Sequence, residues 1–286
     1  MNPRSGGNRN CARRKALLNE LERLAIRTEL TRHAGHATEL ATEAQNYGGV
    51  VAVGGDGTLF EVLKGIDLSR QRIALIPMGR GNSLARDLGL MRGGNLLDAI
   101  HWQAAKAIDL LAVTLTTADG AQSRHLSAST VAVGYPAAVT RRARRLAQLG
   151  KMSYAAAAAL TRPAHFSARV QQDSEPPRDV RLSGFVANNT RHLANFMAFR
   201  RANCCDGVFE TMEMDAGLTK QTMHSLSALS GTGFYEPYAP TQARSARVQL
   251  ETPQDLMIDG EMFQDAVLLD IRILPSAVTC NGPGAR

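Results

Sequence analysis

Val50-Val51-Ala52-Val53-Gly54-Gly55-Asp56-Gly57-Thr58 decides the fold. Four apolar residues bounded by glycines read as a buried strand. The glycines around Asp56 then make a tight strand-to-helix turn, where no Cβ stands in the way of a close backbone approach. Downstream, Leu59, Val62, Leu63 and Ile66 fall on one side of a helix. Ile73-Ala74-Leu75-Ile76, closed by Pro77, repeats the strand. It leads through Met78-Gly79-Arg80-Gly81-Asn82-Ser83 into short helices expected near Ser83–Leu88 and Leu96–Gln103. Upstream, Leu17, Leu21, Leu24 and Ala25 recur at helical spacing, as do Ala37, Leu40, Ala41 and Ala44. This alternation predicts an α/β, doubly wound parallel sheet that collects ligands at the carboxyl ends of its strands. Such a domain usually opens on a buried strand, yet Met1 is followed at once by Asn2-Pro3-Arg4-Ser5-Gly6-Gly7. Either the first strand is missing, or the domain manages without it.

The pattern changes near Ala107. Ile108–Leu115, Arg124–Val133, Phe166–Gln171, Val180–Ala187, Val208–Met214, Val248–Leu250 and Val267–Ile273 read as strands. Asp119-Gly120 and Glu175-Pro176-Pro177 are turn signals between them, and about Ala138 to Leu160 reads as helix. The expected division is residues 1–106 and residues 107–286, two halves packed with a cleft between them. The C-terminal tail is free to return to the first domain.

Composition removes several classes. The 286 residues are 44% hydrophobic and 21% charged, as in ordinary globular proteins. No apolar run reaches transmembrane length, and the polar start does not read as a signal peptide. The four cysteines have no metal-ligand spacing, and Cys204-Cys205 reads as two reduced side chains. The cytosol is the default compartment, with peripheral attachment to a membrane allowed. The net charge of +7 admits nucleic acid, an anionic membrane or an anionic substrate as partner. Aromatics at 5% offer no base-stacking pattern, which counts against nucleic acid. The run Arg141-Arg142-Ala143-Arg144-Arg145 suits acidic headgroups or, equally, a solvated helix face. A homodimer is compatible with the chain.

The glycine loop at a helix N-terminus suits a polyphosphate. Asp56 within it suits Mg²⁺ or the attacking hydroxyl, and Thr58 a helix cap or a phosphate oxygen. In the second loop Gly79 and Gly81 allow close approach and Arg80 can reach a phosphate. There Asn82 offers donor and acceptor to an adenine or ribose edge, and Ser83 is a good N-cap. Asp259-Gly260-Glu261 is an ordinary hairpin turn on its own, but its carboxylates can also supply a base and a positioning ligand.

Together these residues resemble the catalytic-domain family of diacylglycerol, sphingosine and ceramide kinases and bacterial lipid kinases. The match runs in the family's order through Asn2–Gly7, Thr31, Gly35-His36-Ala37, Gly54–Thr58, Glu61-Val62 and Pro77–Arg86. It continues through Ile108-Asp109, Gly134-Tyr135, Gly150, Tyr154, Asn188 and Asp206-Gly207 to Asp259-Gly260-Glu261. The resemblance implies a nucleotide-binding domain followed by a β-sandwich lipid-binding domain. It implies ATP at Asn2, Pro3, Arg4, Ser5, Gly6, Thr31, Gly54, Gly55, Asp56, Gly57, Thr58, Gly79, Arg80, Gly81 and Asn82. Glu261, with Asp259 beside it, would take the proton of a lipid hydroxyl, and Asp56 would act with Mg²⁺. Asp206 lies in a segment similar to one that holds a structural Mg²⁺ in some bacterial members. Arg80, Ser83 and Pro136 depart from the bacterial pattern, which leaves the acceptor lipid open. The alternatives are a catalytically silent nucleotide- or lipid-binding relative and an enzyme like the NAD kinases, which share the glycine-Asp loop.

Overall fold

A computed structural model describes residues 1–91, 105–193, 196–197, 199–214 and 240–281. The helix expected over Leu96–Gln103 lies outside the described residues. The chain divides into two units, Met1–Asp109 with Ser276–Arg286 and Leu110–Pro275.

In the first unit, α1 (Cys11–Arg23) precedes α2 (His36–Glu43), β1 (Gly49–Gly54), α3 (Asp56–Gly65), β2 (Arg72–Pro77) and α4 (Ser83–Asp87). β1 and β2 pair in parallel from Gly49↔Arg72 to Gly54↔Pro77. The C-terminal end of the chain adds a third parallel strand beside β2, at Thr279↔Arg72 and Cys280↔Ile73. Asn281, wholly buried, finishes that join: its Oδ1 accepts from the Leu75 N–H and its own N–H donates to Ile73 O. Nearby, the Ser276 N–H donates to the buried Asp109 carboxylate at 2.7 Å.

Helix α1 is held by Leu17 and Leu21, which pack with Val53, Ile76 and Met78. Fully burying each such leucine contributes roughly 1.5–3 kcal/mol. The helix stops at Arg23, so Leu24, expected on the same apolar face, is 44% exposed. β1 is less covered than its apolar run predicts: Val50 and Val51 are only half-buried. The reason is its position at the end of the strand order, where its outer side receives the Asn2 N–H at Val53 O. Leu24, Ile26 and Leu30 remain exposed.

In the second unit, β3 (Lys106–Thr117) and β4 (Gln122–Ser127) form an antiparallel hairpin. β5 (Thr130–Gly134), α5 (Tyr135–Arg145) and α6 (Ser153–Leu160) follow. Then come β6 (Phe166–Gln172), β7 (Arg178–Leu182), β8 (Gly184–Asn188) and the short pair β9 (His192–Leu193) and β10 (Phe196–Met197). β11 (Phe209–Met214), β12 (Thr241–Ala243), β13 (Ser245–Ile258) and β14 (Glu261–Cys280), whose last residues belong to the first unit, complete it. β13 forks the sheet. Its first half pairs β6, while Leu256–Ile258, past an irregularity in register, pairs β5. One arm continues to β7, the other through β8 and β11 to β12. Gln172 of the first arm bonds Thr211 of the second, and Arg178 pairs with Glu213. These ties bring the two arms of the expected β-sandwich together, while on the opposite face of the second arm Ala132, Val186, Met212 and Met257 pack with Ala137 of α5.

Three segments expected to be continuous are broken. Arg124–Val133 is two strands, because the N–H groups of Ala128 and Ser129 turn to Asp259. Val180–Ala187 splits at Ser183, whose N–H and hydroxyl both reach Met214 O. The helix over Ala138–Leu160 is interrupted at Gly150, which sits at φ +59°. Among the described residues, no helix is long and apolar enough to cross a membrane.

Candidate functional site

The two glycine loops of the first unit are packed onto one another. Met78 and Gly79 both donate their N–H groups to Gly54 O, at 2.7 and 3.2 Å. A Cβ at Gly79 would stand 2.4 Å from the Gly55 Cα, and one at Gly54 would stand 2.3 Å from Thr58 Oγ1. Contact between the loops therefore requires glycine at Gly79, and room for Thr58 within the first loop requires it at Gly54. Gly79→Ala should destabilise the unit by about 1–3 kcal/mol, the usual cost of overpacking. Glycine-to-alanine changes at unstrained sites instead stabilise by about 0.4–1 kcal/mol, so the sign of the shift in urea unfolding is the test.

Asp56 joins the loops. Its half-buried carboxylate accepts from the N–H of Asn82 at 2.8 Å and of Ser83 at 2.7 Å. It thereby caps α4 from a distant part of the sequence, whereas Ser83 was expected to be the cap. Burial raises the Asp56 carboxyl above the ordinary aspartate range; those two N–H groups and the Arg86 charge pull it down without prevailing. The neutral form is thus favoured to higher pH in the fold than in the unfolded chain. The stability this shift supplies is complete below the ordinary range and is lost as pH rises through the raised value.

The remaining predicted contacts gather around the same loops. Asn2 donates through Nδ2 to Thr58 Oγ1 at 3.1 Å and accepts the Arg4 N–H at 2.9 Å. Arg14 holds Ser5 O and Gly7 O, fixing the Pro3–Gly6 turn. Asn10, which no local pattern in the sequence marks, donates to Met78 O at 2.7 Å. Thr31 is tied through its N–H to Met1 O. Asn82, left-handed at φ +54°, uses its amide on the Gly79 backbone in both directions. Gly81 O accepts from Arg86, and Arg80 is exposed. Gly57 lies half-buried in the first turn of α3, where N–H groups lack partners inside the helix. A recess lined by Ala52, Leu59, Leu75, Pro77, Leu84 and Ala85 opens beside Asp56 and Asn82. The Glu61 carboxylate accepts the N–H groups of Gly35 and Ala37 and so fixes the start of α2.

The second unit holds the other carboxylates. Asp259 and Gly260, at φ +48° and +87°, form the tight turn between β13 and β14. Asp259 is 6% exposed, and its oxygens accept from the Ser127 hydroxyl and the N–H groups of Ala128, Ser129 and Thr130, at 2.7–3.0 Å. Glu261 begins β14 with a partly exposed side chain, 3.0 Å from the Arg144 guanidinium, which also bonds Gly260 O. Arg141 of the same basic run pairs with Asp255 at 2.6 Å. Asp206 is exposed in the turn before β11 and accepts the Val208 N–H at 3.2 Å.

Two glycine loops at the carboxyl ends of parallel strands make the first unit an α/β domain with its candidate ligand site at those ends. Residues 1–113 match the diacylglycerol kinase catalytic domain. A Streptococcus pneumoniae protein called "Putative lipid kinase" is 32% identical over 117 residues, 38% of this chain and 40% of that protein. A diacylglycerol kinase of Bacillus subtilis is 37% identical over 89 residues, 29% of each chain. The chain thus aligns with less than half the length of either curated relative. In fold, a Bacillus anthracis structure described as a "putative diacylglycerol kinase" superposes with a TM-score of 0.78 at 20% identity, over 98% of this chain and 93% of that one. An Archaeoglobus fulgidus NAD kinase in complex with ATP gives 0.52 at 14% identity, over 99% and 92%.

Proposed function

We propose that this protein is an ATP-dependent lipid kinase that transfers the γ-phosphoryl group to the hydroxyl of a diacylglycerol or sphingoid-type lipid. The observation that carries the reading is Asp56, which fastens the second glycine loop to the head of α3. Phosphoryl transfer needs positioning and charge neutralisation more than covalent chemistry, and this junction supplies a rigid phosphate-facing surface. Asn2–Gly6, Thr31, Gly54–Thr58 and Gly79–Asn82 hold the nucleotide in this reading. With the Asn82, Ser83 and Asp56 N–H groups engaged, the Asp56 carboxylate keeps a lone pair, which fits one place in a Mg²⁺ sphere otherwise filled by phosphates and water. That ion would neutralise phosphate charge; Asp206 is a weaker candidate for a structural one. Glu261, partly exposed, accepts the proton of the lipid hydroxyl. Asp259, its acceptors engaged by the Ser127–Thr130 segment, positions the turn that carries Glu261. The acceptor is presented at a membrane surface, and no nucleic acid takes part.

The test is phosphate transfer from labelled ATP with Mg²⁺ to diacylglycerol, monoacylglycerol, sphingosine, ceramide and phosphatidylglycerol in mixed micelles. Transfer to one class, lost in Asp56→Asn protein of unchanged circular dichroism, is the expected result. Folded protein that binds ATP and phosphorylates none of them would overturn the assignment in favour of a silent relative.

A further inference from the structure

The turn between β10 and β11 holds two adjacent thiols in an unusual relation. Neighbouring side chains on a strand point to opposite faces. Here the backbone turns, and the sulfurs of Cys204 and Cys205 lie 3.8 Å apart. The turn is fastened on both sides of the pair. Arg191 donates to Ala202 O at 3.2 Å, and Val208 donates to the Asp206 carboxylate ahead of which the thiols sit. Gly207, at φ +74°, completes the reversal. The two sulfurs differ in access: Cys205 is exposed and Cys204 is 4% exposed. An accessible thiol that can react first, beside a sheltered one that can resolve it, is the arrangement of a redox-sensitive pair.

We propose that Cys204 and Cys205 form a vicinal dithiol that hydrogen peroxide converts to a disulfide within the turn. The Cys205 thiolate attacks a peroxide oxygen; an S–O bond forms, the O–O bond breaks, and water leaves, giving a sulfenic acid. The Cys204 sulfur then attacks Cys205; the S–S bond forms, the S–O bond breaks, and a second water carries off the oxygen. The two sulfurs together lose two electrons, and the peroxide gains them. Closure of so small a ring is strained, so the disulfide is readily reduced by a dithiol.

The experiment exposes the full native chain to a slight excess of hydrogen peroxide, then denatures it, alkylates it with iodoacetamide and maps it by mass spectrometry. The expected result is loss of two of the four thiols. Both lie in the peptide containing Cys204-Cys205, whose mass falls by two hydrogens, and dithiothreitol restores both. In Cys204→Ser the reaction stops at a dimedone-reactive Cys205, and in Cys205→Ser no dimedone adduct forms at Cys204. Over-oxidation of Cys205 with Cys204 still alkylated would overturn the proposal. So would a disulfide to Cys11 or Cys280, or no loss of thiol.

Discussion

Glu261→Gln is expected to lower kcat by about 10²–10⁴-fold, the usual contribution of a positioned base. Its thermal midpoint and its affinity for ATP should be close to those of the parent. The side chain is partly exposed, and its ion pair with Arg144 joins groups that are 42% and 48% accessible. Exposed pairs of this kind contribute only about 0–1 kcal/mol, so removing the charge leaves the fold in place. The amide keeps the size of the carboxylate and loses only its ability to take a proton. The check is a steady-state assay on the lipid that the parent phosphorylates, with nucleotide binding followed separately by calorimetry. A kcat within about threefold of the parent would remove Glu261 from the reaction and send the search for the base to another carboxylate.

Asp259→Ala should behave in the opposite way, with a loss of stability of about 3–5 kcal/mol. Four donors converge on the Asp259 carboxylate, three of them backbone N–H groups of Ala128, Ser129 and Thr130. Deleting it strands those groups in a buried place at a cost of about 1–3 kcal/mol each, partly relieved by relaxation. Alanine is also poorly suited to the φ of +48° that Asp259 adopts. Asp259→Asn, which tolerates that conformation and keeps one acceptor oxygen, should fall between the two. Urea unfolding measures the order. An alanine variant as stable as the parent but inactive would restore Asp259 as a second reacting carboxylate.

The parts of the protein legible in the sequence are those fixed by neighbours along the chain. The Val50–Val53 strand, the turn at Gly54–Thr58 and the second loop at Gly79–Ser83 follow from local apolar runs and glycine punctuation. The Asp259-Gly260 turn was legible for the same reason. What escaped depends on contacts far apart in sequence. Nothing local marks Ser127–Thr130 as the cradle of Asp259, 129 or more residues away, so one long strand was expected where two exist. Nor does the amide of Asn82 announce that it is used on Gly79, or Arg144 that it meets Glu261. The glycines were expected for the sake of a ligand, and the structure adds a second cause, the touching of two loops.

The outer side of β1 has a bearing on how the protein behaves in the tube. A terminal strand with half-covered Val50 and Val51 is an adhesive seam. Edge strands with apolar side chains invite the same strand of another molecule, a route to turbidity in concentrated stocks. A lysine on that border, at Val50 for instance, would act as a gatekeeper and keep the preparation dispersed, at a distance along β1 from the loop that begins at Gly54.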